Sequence, residues 1–193
     1  IHPEGSEIEL DDGSRLPADL VLLSIGVRPE LSLAKAAGLA VGPSGGLEVD
    51  EGLRTSDPSI WAAGDMVELT HKVSGKKVRV PLAGPANRQG RIAASNALGA
   101  AMRYSGAAGT SVFKAFDATA ASTGLTEKAA RDSGFEVGAA LIVKEQHASY
   151  YPGARELYLK IVYDKKSGRL LGAQGFGAEG VDKRIDVLAT ALQ

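Results

Sequence analysis

Cysteine is absent from the 193 residues, which excludes a disulfide-stapled domain and a cysteine-based zinc site. Aromatic residues make up only 5% of the chain, and no apolar run approaches the roughly 20 residues that a helix needs to cross a bilayer. The 22 Lys and Arg nearly balance the 23 Asp and Glu, so no surface charge favours nucleic acid or an anionic membrane. No signal peptide is visible either. We therefore expect a soluble, cytoplasmic protein without nucleic-acid or membrane partners.

Histidine is also scarce. The chain contains His2, His71 and His147, and none has a carboxylate at a spacing that suggests acid–base catalysis. A single histidine in a loop is most often a solvated surface residue, so we expect no catalytic histidine. We also predict no metal site.

The first half of the chain carries the patterns of an α/β sheet. Residues 20–25 (LVLLSI) form a nearly continuous apolar run, which is typical of a strand buried on both faces of a parallel sheet. Residues 59–65 (SIWAAGD) have the pattern of a second buried strand. The other predicted elements are a hairpin at 7–13, a helix at 31–38, a short strand at 47–50, a solvated loop at 71–79, a helix at 81–98 and a linker at 99–109.

After residue 110 the pattern changes to that of an α+β domain. Two apolar-rich segments flank the sequence DKKSG at 164–168, which indicates a hairpin. Thr126 is positioned to cap a following helix. We therefore expect an antiparallel sheet with helices on one face. The predicted elements are strands at 112–119, 139–144, 157–163 and 169–176, and helices at 126–133 and 181–193.

The most informative stretch is residues 55–65 (TSDPSIWAAGD), where a buried strand would deliver a carboxylate directly after a glycine. In open α/β sheets, ligands bind at the carboxyl ends of the strands. Gly64 would let a ligand approach the backbone, and Asp65 could accept a hydrogen bond from a sugar hydroxyl. On these two residues alone, an exposed Gly-Asp turn without a ligand is an equally good account.

The whole of this stretch resembles the second FAD motif of the pyridine nucleotide-disulfide oxidoreductases. Residues 23–29 (LSIGVRP) resemble the Gly-x-Arg-Pro signature with which that family crosses from its NAD domain back to its FAD domain. Four further strings are similar to one branch, the coenzyme A-disulfide reductases with their NADH oxidase and persulfide reductase relatives. These strings are VPLAGPANRQG at 80–90, TGLTE at 123–127, YYPGA at 150–154 and GVDKRID at 180–186.

The resemblance covers nearly the whole chain but only part of the family's architecture. The two upstream Gly-rich pyrophosphate turns, the redox-active cysteine and the C-terminal tyrosine segment of the family are missing. Ile1 is not a start residue and no helix stop signal precedes Gln193, so we expect a fragment of a longer polypeptide that is inactive alone.

The fold that the resemblance implies is an α/β flavoprotein portion, with a partial FAD/NAD(P)-binding sheet, followed by an α+β dimerisation domain with an antiparallel sheet. The expected boundaries are 1–30 for the end of the NAD(P)-binding domain and 31–107 for the C-terminal half of the FAD-binding domain. Residues 108–193 would be the dimerisation domain, incomplete at its C-terminus. Because both faces of the strand at 157–163 carry apolar groups, we expect one face to need a partner in a homodimer.

The resemblance also implies where the cofactors FAD and NAD(P)H bind. Asp65, following Gly64, would bond the ribityl chain of FAD. Ile25 and Gly26 would lie beside the nicotinamide of NAD(P)H; a buried strand end is the alternative for both.

A helix that begins near Pro81, with Leu82 and Ala83, would direct its positive N-terminus at the pyrimidine edge of the flavin. Pro81 would occupy the first helical position, where its missing N–H costs least. Without the resemblance, these three residues only start a packed helix.

Substrate contacts are expected from two further places. Asn87, one turn into the helix, could face the flavin or a thiol substrate, and an exposed polar side chain without a role is an equally good account. The resemblance to the coenzyme A-disulfide reductase branch also implies that a tyrosine of the 150–154 loop reaches the thiol site of the opposite subunit as a catalytic residue. Tyr150 and Tyr151 are both candidates, and Tyr151 is favoured because Pro152 restricts its backbone. Packing is the alternative for both rings.

The function implied for the parent is that of an FAD-dependent NAD(P)H:disulfide oxidoreductase, a coenzyme A-disulfide or persulfide reductase with a small-molecule disulfide or thiol as substrate. An NADH oxidase of the same family is the nearest alternative. Two other readings stay open: a folded dimerisation module without a cofactor, and an unrelated α/β binding domain.

Overall fold

The structure, a computed structural model, describes residues 7–192. His2 and Gln193 lie outside this range. The described chain begins with an antiparallel hairpin of β1 (Glu7–Glu9) and β2 (Arg15–Pro17). The Asp12 carboxylate holds the connecting turn by accepting from the Ser14 amide at 2.9 Å. The predicted hairpin is therefore confirmed.

Residues 18–30 form no helix or strand, so the strand predicted at 20–25 was wrong. Its apolar side chains point into solvent: Leu22 is 86% exposed and Ile25 is 90% exposed. A strand needs neighbours that pair with its N–H and C=O groups. No other described segment pairs with this one, so the apolar run stays on the surface.

The first short helix, α1 (Ser32–Ala36), lies within the span predicted for it. The Glu30 carboxylate accepts from the Ser32 amide at 2.7 Å where the helix begins, and Gly38 follows its end with φ of 73°. The helix packs on a small core. This core consists of Leu31, Ala34, Leu47, Ala62 and Val67.

The strands predicted at 47–50 and 59–65 were wrong in extent, because each contributes a single bridging residue. Leu47 bridges to Val67, and Trp61 bridges to Arg54. The chain turns too tightly for longer pairing, since the Asp57 carboxylate accepts from the Ser59 amide at 2.8 Å.

Residues 71–79, predicted as a loop, lie largely in the turn of a short hairpin, β3 (Leu69–Thr70) and β4 (Lys77–Val78). His71 and Val73 in this turn are buried. The prediction of a solvated loop was therefore wrong at these two residues, because Val73 packs into a core shared with the second half of the chain.

The long helix α2 spans Ala83–Ala97, close to its predicted range. Small residues recur along it at spacings of three and four, yet only one of them, Ala93, is buried. The side that packs inward also carries two amides. The buried residues of α2 are Gln89, Ile92, Ala93 and Asn96.

The second half is built on a five-stranded, fully antiparallel sheet in the order β5-β6-β9-β8-β7. The single strand predicted at 112–119 was wrong, because the chain reverses at Phe116 and Asp117 and pairs with itself. The strands are β5 (Ser111–Ala115), β6 (Ala118–Gly124), β7 (Val137–Glu145), β8 (Glu156–Asp164) and β9 (Leu170–Gly177).

Two helices accompany this sheet, as predicted, but the expectation that both lie on one face was wrong. Glu127 of the first helix pairs with Lys160 of β8, whereas the second packs on the opposite face, which carries Leu157 and Leu159. In α3 (Glu127–Asp132), the Thr126 hydroxyl caps the N-terminus by accepting from the Ala129 amide at 3.2 Å. The helix α4 (Val181–Ala191) packs on the central strands β6 and β9. Gly175 lets it approach closely, because a Cβ there would lie 2.7 Å from Val181.

The two halves share a core and a hydrogen-bonded junction. Val73 of the β3–β4 turn packs in one cluster with Ala108 of the connecting segment and with Val162 and Leu171 of the sheet. The Lys76 ammonium donates to the Asp132 carbonyl at the end of α3 at 2.6 Å. The first half is therefore tied to the sheet through the β3–β4 hairpin.

No helix within residues 7–192 is long and apolar enough to cross a membrane. Within the same range, no group of three or more His, Cys, Asp or Glu side chains is placed to hold a metal ion.

Candidate functional site

The Gly64-Asp65 turn lies against the first turns of α2. Gly64 has φ of 86°, and its amide donates to the buried Gln89 side chain at 2.7 Å. A Cβ at Gly64 would lie 4.0 Å from the Ala86 Cβ. The left-handed backbone favours glycine here, and the bond to Gln89 fixes the turn relative to the helix. Gln89 was not predicted from the sequence, because nothing in the stretch at 80–90 marks it as the partner of the Gly64-Asp65 turn.

The Asp65 carboxylate is exposed and has no hydrogen bond or ion pair to any other residue between 7 and 192. A carboxylate in this state keeps all its acceptor capacity for a ligand. It is held beside a backbone turn that the Gln89 bond makes rigid. The arrangement can accept hydrogen bonds from hydroxyl groups of a bound molecule.

The N-terminus of α2 is open. Its N-cap is Leu82, whose side chain makes no capping hydrogen bond, and the first turn holds no acidic residue. The N–H groups of Ala83 and Gly84 have no partner within the helix. A helix end of this kind carries a partial positive charge and binds acceptors or anions.

The role predicted for Pro81 was wrong in position. The helix begins at Ala83, because the backbone of Leu82 is extended with φ of −133° and ψ of 143°. Pro85 stands in the first turn, where its missing N–H would have no partner in any case. Pro81 and Leu82 thus lead into the helix and flank its open end.

Asn87 lies on the exposed side of α2, one turn from its start. It is next to Ala86, which contacts the Gly64 turn. Asn87 thus follows the residue of α2 that faces the Gly64 turn.

Ile25 and Gly26 are not brought to the Gly64 turn. They lie in the irregular segment 18–30, and Gly26 has φ of 84°. A Cβ built on Gly26 would have no heavy atom within 4 Å. The alternative of a buried strand end at these residues was wrong, because no described strand pairs with this segment.

Tyr150 and Tyr151 lie in the loop between β7 and β8, on the other half of the molecule. Both are exposed, Tyr150 at 85% and Tyr151 at 65%. The Tyr151 ring lies between two others, with its centroid 6.0 Å from His147 and 6.1 Å from Tyr150. The rings pack mainly on each other and leave both phenol groups accessible.

His71 is buried, contrary to the solvated position expected for a loop histidine. Its Nδ1 accepts from the amides of Val73 and Ser74 at 3.3 and 3.4 Å. Burial lowers its pKa, while a hydrogen bond with the Ala108 backbone raises it. The side chain serves the junction between the halves, which gives it a structural role.

A cleft of about 420 Å³ lies between α2 and α4. Arg88 lines it from one side, Tyr104 from the connecting segment, and Asp186 and Thr190 from α4. Burial raises the pKa of Tyr104 above its ordinary value of 10.0. Tyr104 was not predicted as a site residue, because in the sequence it is only a single tyrosine in the linker at 99–109.

Two family models match this chain. Pyridine nucleotide-disulphide oxidoreductase matches residues 1–90, and the dimerisation domain of the same family matches residues 110–193. The chain belongs to the pyridine nucleotide-disulphide oxidoreductase family. Its architecture is accordingly a partial dinucleotide-binding region followed by the α+β dimerisation domain.

Individual relatives agree with the family. The chain is 40% identical over 189 residues to an NAD(P)H sulfur oxidoreductase (CoA-dependent) of Pyrococcus furiosus, covering 98% of this chain and 42% of the relative. It is 42% identical, with a TM-score of 0.90, to the structure of an NAD-dependent persulfide reductase from A. fulgidus, covering 97% of this chain and 36% of that one.

A third similarity is to an FAD-dependent pyridine nucleotide-disulphide oxidoreductase from Desulfovibrio vulgaris. It has 37% identity and a TM-score of 0.81, and the match covers 97% of this chain and 45% of that one. The chain thus spans less than half the length of each of these proteins.

Proposed function

We propose that these 193 residues belong to an FAD-dependent enzyme that uses NAD(P)H to reduce a small disulfide or persulfide of coenzyme A. The observation that carries the proposal is the Asp65 carboxylate, which binds no other residue between 7 and 192 and follows the Gly64 amide that is bonded to α2, together with the open N-terminus of that helix. Both belong to the part of the chain that matches the family's dinucleotide-binding region. The three similar proteins are named for NAD(P)H, FAD, CoA, sulfur and persulfide.

The residues at the start of α2 fit a flavin dinucleotide in their donor and acceptor chemistry. Asp65 offers acceptors for the hydroxyls of a ribityl chain, and Gly64 leaves space beside the backbone. The helix end that Leu82 and Ala83 form after Pro81 offers N–H donors and partial positive charge to an electron-rich ring edge. When bound, FAD supplies the electron-transfer chemistry, and these residues bind and orient it.

The nicotinamide contact is assigned to Ile25 and Gly26. This assignment is supported by their position in the exposed apolar segment 18–30, whose side chains are free to pack against further protein or against a flat ring. We place the domain boundaries after residues 30 and 107, so that this segment ends the NAD(P)-binding domain and α2 closes the FAD-binding domain.

The substrate contacts are assigned to Asn87 and to the tyrosine loop. Asn87 offers an amide to a thiol or disulfide at the start of α2, next to the proposed flavin position. Tyr150 and Tyr151 are the catalytic candidates, since an exposed phenol can donate a hydrogen bond to a thiolate. Both rings are exposed, and their ring contacts are with each other and with His147 of the same loop, which supports a role across a subunit interface.

The assembly proposed is a homodimer formed through the open face of the sheet, in a cytoplasmic enzyme. One row of side chains crosses all five strands on this face and is mostly apolar. Phe113 and Phe176 are 65% and 52% exposed. The row, in strand order, is Phe113, Ala120, Phe176, Tyr158 and Val143. An apolar stripe of this width on one face favours burial against a second copy.

Enzyme assays of the full-length protein that contains this chain test the activity. Under anaerobic conditions, NADH or NADPH should be oxidised only when coenzyme A disulfide or coenzyme A persulfide is added. No acceptor-dependent oxidation with either nucleotide would overturn the proposal. Rapid oxidation of NADH by oxygen alone, without a disulfide, would instead indicate the NADH oxidase alternative.

Heating the same protein and recording the visible absorption of released flavin tests the cofactor. A flavin-free protein that still dimerises would support the alternative of a non-catalytic dimerisation module.

A further inference from the structure

The two sequence strings YYPGA at 150–154 and GVDKRID at 180–186 are joined through a single arginine. Arg184 on the first turn of α4 extends its guanidinium toward the tyrosine loop. One nitrogen, Nη1, donates to the Gly180 carbonyl at 2.9 Å, and the other, Nη2, donates to the Gln146 carbonyl at 2.5 Å. The planar fork of arginine can serve two acceptors at once, which a lysine cannot match.

Gln146 fixes the base of the tyrosine loop on both sides. Its amide donates to the Arg155 carbonyl at 3.0 Å, and its side-chain oxygen accepts from the Arg155 amide at 2.5 Å. Its side-chain nitrogen donates to the Gly153 carbonyl at 3.3 Å. With its own carbonyl bound to Arg184, each polar group of Gln146 has at least one hydrogen-bond partner.

The start of α4 is shaped to accept the arginine. Gly180, the N-cap residue, has φ of 70°. A Cβ at this position would lie 2.7 Å from Arg184 Nη1. Gly180 thus provides both the left-handed backbone and the space that the guanidinium occupies.

Beyond this base, little else holds the loop. Tyr150 and Tyr151 are exposed, and the Tyr151 amide donates only to the nearby Ala148 carbonyl at 2.9 Å. Apart from the ring contacts of Tyr151 with His147 and Tyr150, the direction of both rings therefore depends on the Gln146 base. We infer that Arg184 is a positioning residue that holds the tyrosine loop in its reactive orientation, by anchoring Gln146 to α4. This inference rests on the proposed function for its catalytic consequence.

Hydrogen exchange tests the anchoring itself. In Arg184→Met, the amides of Gln146, Tyr151 and Arg155 should exchange about tenfold faster than in the wild type, because the loop base opens more often. Arg184→Lys, which restores one donor, should give intermediate rates. Lys183→Met, the exposed neighbour, is the matched control and should leave the rates unchanged. Unaltered loop exchange in Arg184→Met would overturn the inference.

Turnover of the full-length enzyme tests the catalytic consequence. Arg184→Met should lower kcat with the disulfide substrate by about tenfold to a hundredfold and leave the KM for NAD(P)H unchanged, as expected for a misplaced catalytic group. The loss should nearly disappear when Arg184→Met is added to the Tyr150→Phe, Tyr151→Phe double variant, because Arg184 then has no hydroxyl left to position.

A full loss in that background would show that Arg184 acts elsewhere and would overturn the inference. If the wild-type enzyme reduces no disulfide, the proposed function fails, while the exchange rates still decide whether Arg184 holds the loop.

Discussion

Asn96 is a buried amide on α2 whose side chain joins two loops. Its Nδ2 donates to the carbonyls of Gly52 and Met102, both at 2.9 Å, and its Oδ1 accepts from the Met102 amide at 2.8 Å. Asn96→Ala removes all three bonds, so we expect the free energy of unfolding to fall by about 2–3 kcal/mol. Chemical denaturation measures this loss. Asn87→Ala, at an exposed position of the same helix, should change it by less than about 0.5 kcal/mol. Equal losses would contradict this account.

His71 makes the stability of the protein depend on pH. Burial lowers its pKa below the ordinary value of 6.5. The unfolded chain therefore takes up the proton at a higher pH than the folded chain does. The stability that neutral His71 contributes is complete above its unfolded pKa and is lost as the pH falls through that value toward the folded pKa.

Thermal unfolding at a series of pH values measures this contribution. Between about pH 7.5 and about pH 5.5, the midpoint of the wild type should fall more than that of His71→Gln, which cannot be protonated in this range. His147→Gln, which removes an exposed histidine, should keep the pH dependence of the wild type. Parallel curves for wild type and His71→Gln would refute the role of His71.

The site was predictable from sequence where its residues are neighbours in the chain. Gly64 and Asp65 stand together after an apolar stretch, and the structure leaves Asp65 exposed beside α2. Gln89 was not predictable, because its bond to Gly64 joins positions 25 residues apart. An amide in a helix does not show which loop it will contact. The buried His71 was missed for the same reason.

Among the elements, the β5–β6 hairpin shows where turn signals fail. Its two-residue connection is Phe116 and Asp117, and Phe116 has φ of 52°. Glycine or asparagine is the usual residue at such a conformation, and neither stands here. The sequence therefore predicted one continuous strand. The hairpin forms because β6 pairs with β9 on its other side, and that pairing is non-local.

Replacing the strained residue should stabilise this hairpin. Phe116 is 99% exposed, so Phe116→Gly loses little packing and removes the cost of a left-handed backbone at a bulky residue. The net gain in the free energy of unfolding should be about 0.5–1 kcal/mol, after the entropy of the added glycine is subtracted. Denaturation of the chain measures it. Phe116→Ala, which keeps a Cβ, should give no comparable gain; a gain as large as that of glycine would contradict the strain argument.

The helix α4 and the strands β8 and β9 were predicted well, because their apolar pattern is regular. The residues Val181 and Ile185 recur at helical spacing and are buried on the sheet. The segment at 20–25 was predicted as a strand from its apolar run alone. Such a run shows that the segment favours burial but does not show what buries it. In the described structure nothing pairs with it, and it stays exposed.

At the scale of the whole molecule, the antiparallel sheet was predictable from the alternation of apolar and polar residues and from the DKKSG turn. The order of its strands was not predictable. The strand β9 inserts between β6 and β8, and the sequence contains no local signal for that choice. The order nevertheless decides which side chains form the row across the open face.

This row predicts how the protein assembles. Phe176→Arg places a charge in the middle of the apolar row, and we expect it to convert a dimer into a folded monomer, because a charge buried without a partner is costly. Sedimentation of the full-length protein at micromolar concentration measures the change. Val187→Arg, on the exposed side of α4, is the matched control and should remain a dimer. A wild-type monomer, or a dimer of unchanged affinity in Phe176→Arg, would contradict the proposed interface.

The central claim is that the Gly64-Asp65 turn and the start of α2 hold a flavin, and the affinity of the full-length protein for FAD tests it most directly. Asp65→Ala removes a charge-assisted hydrogen bond, so the dissociation constant should rise roughly tenfold to a hundredfold. Glu48→Ala, which removes an exposed carboxylate in the same half of the chain, should leave it unchanged. If Asp65→Ala purifies with a full complement of FAD and the dissociation constant of the wild type, this turn is not the flavin site.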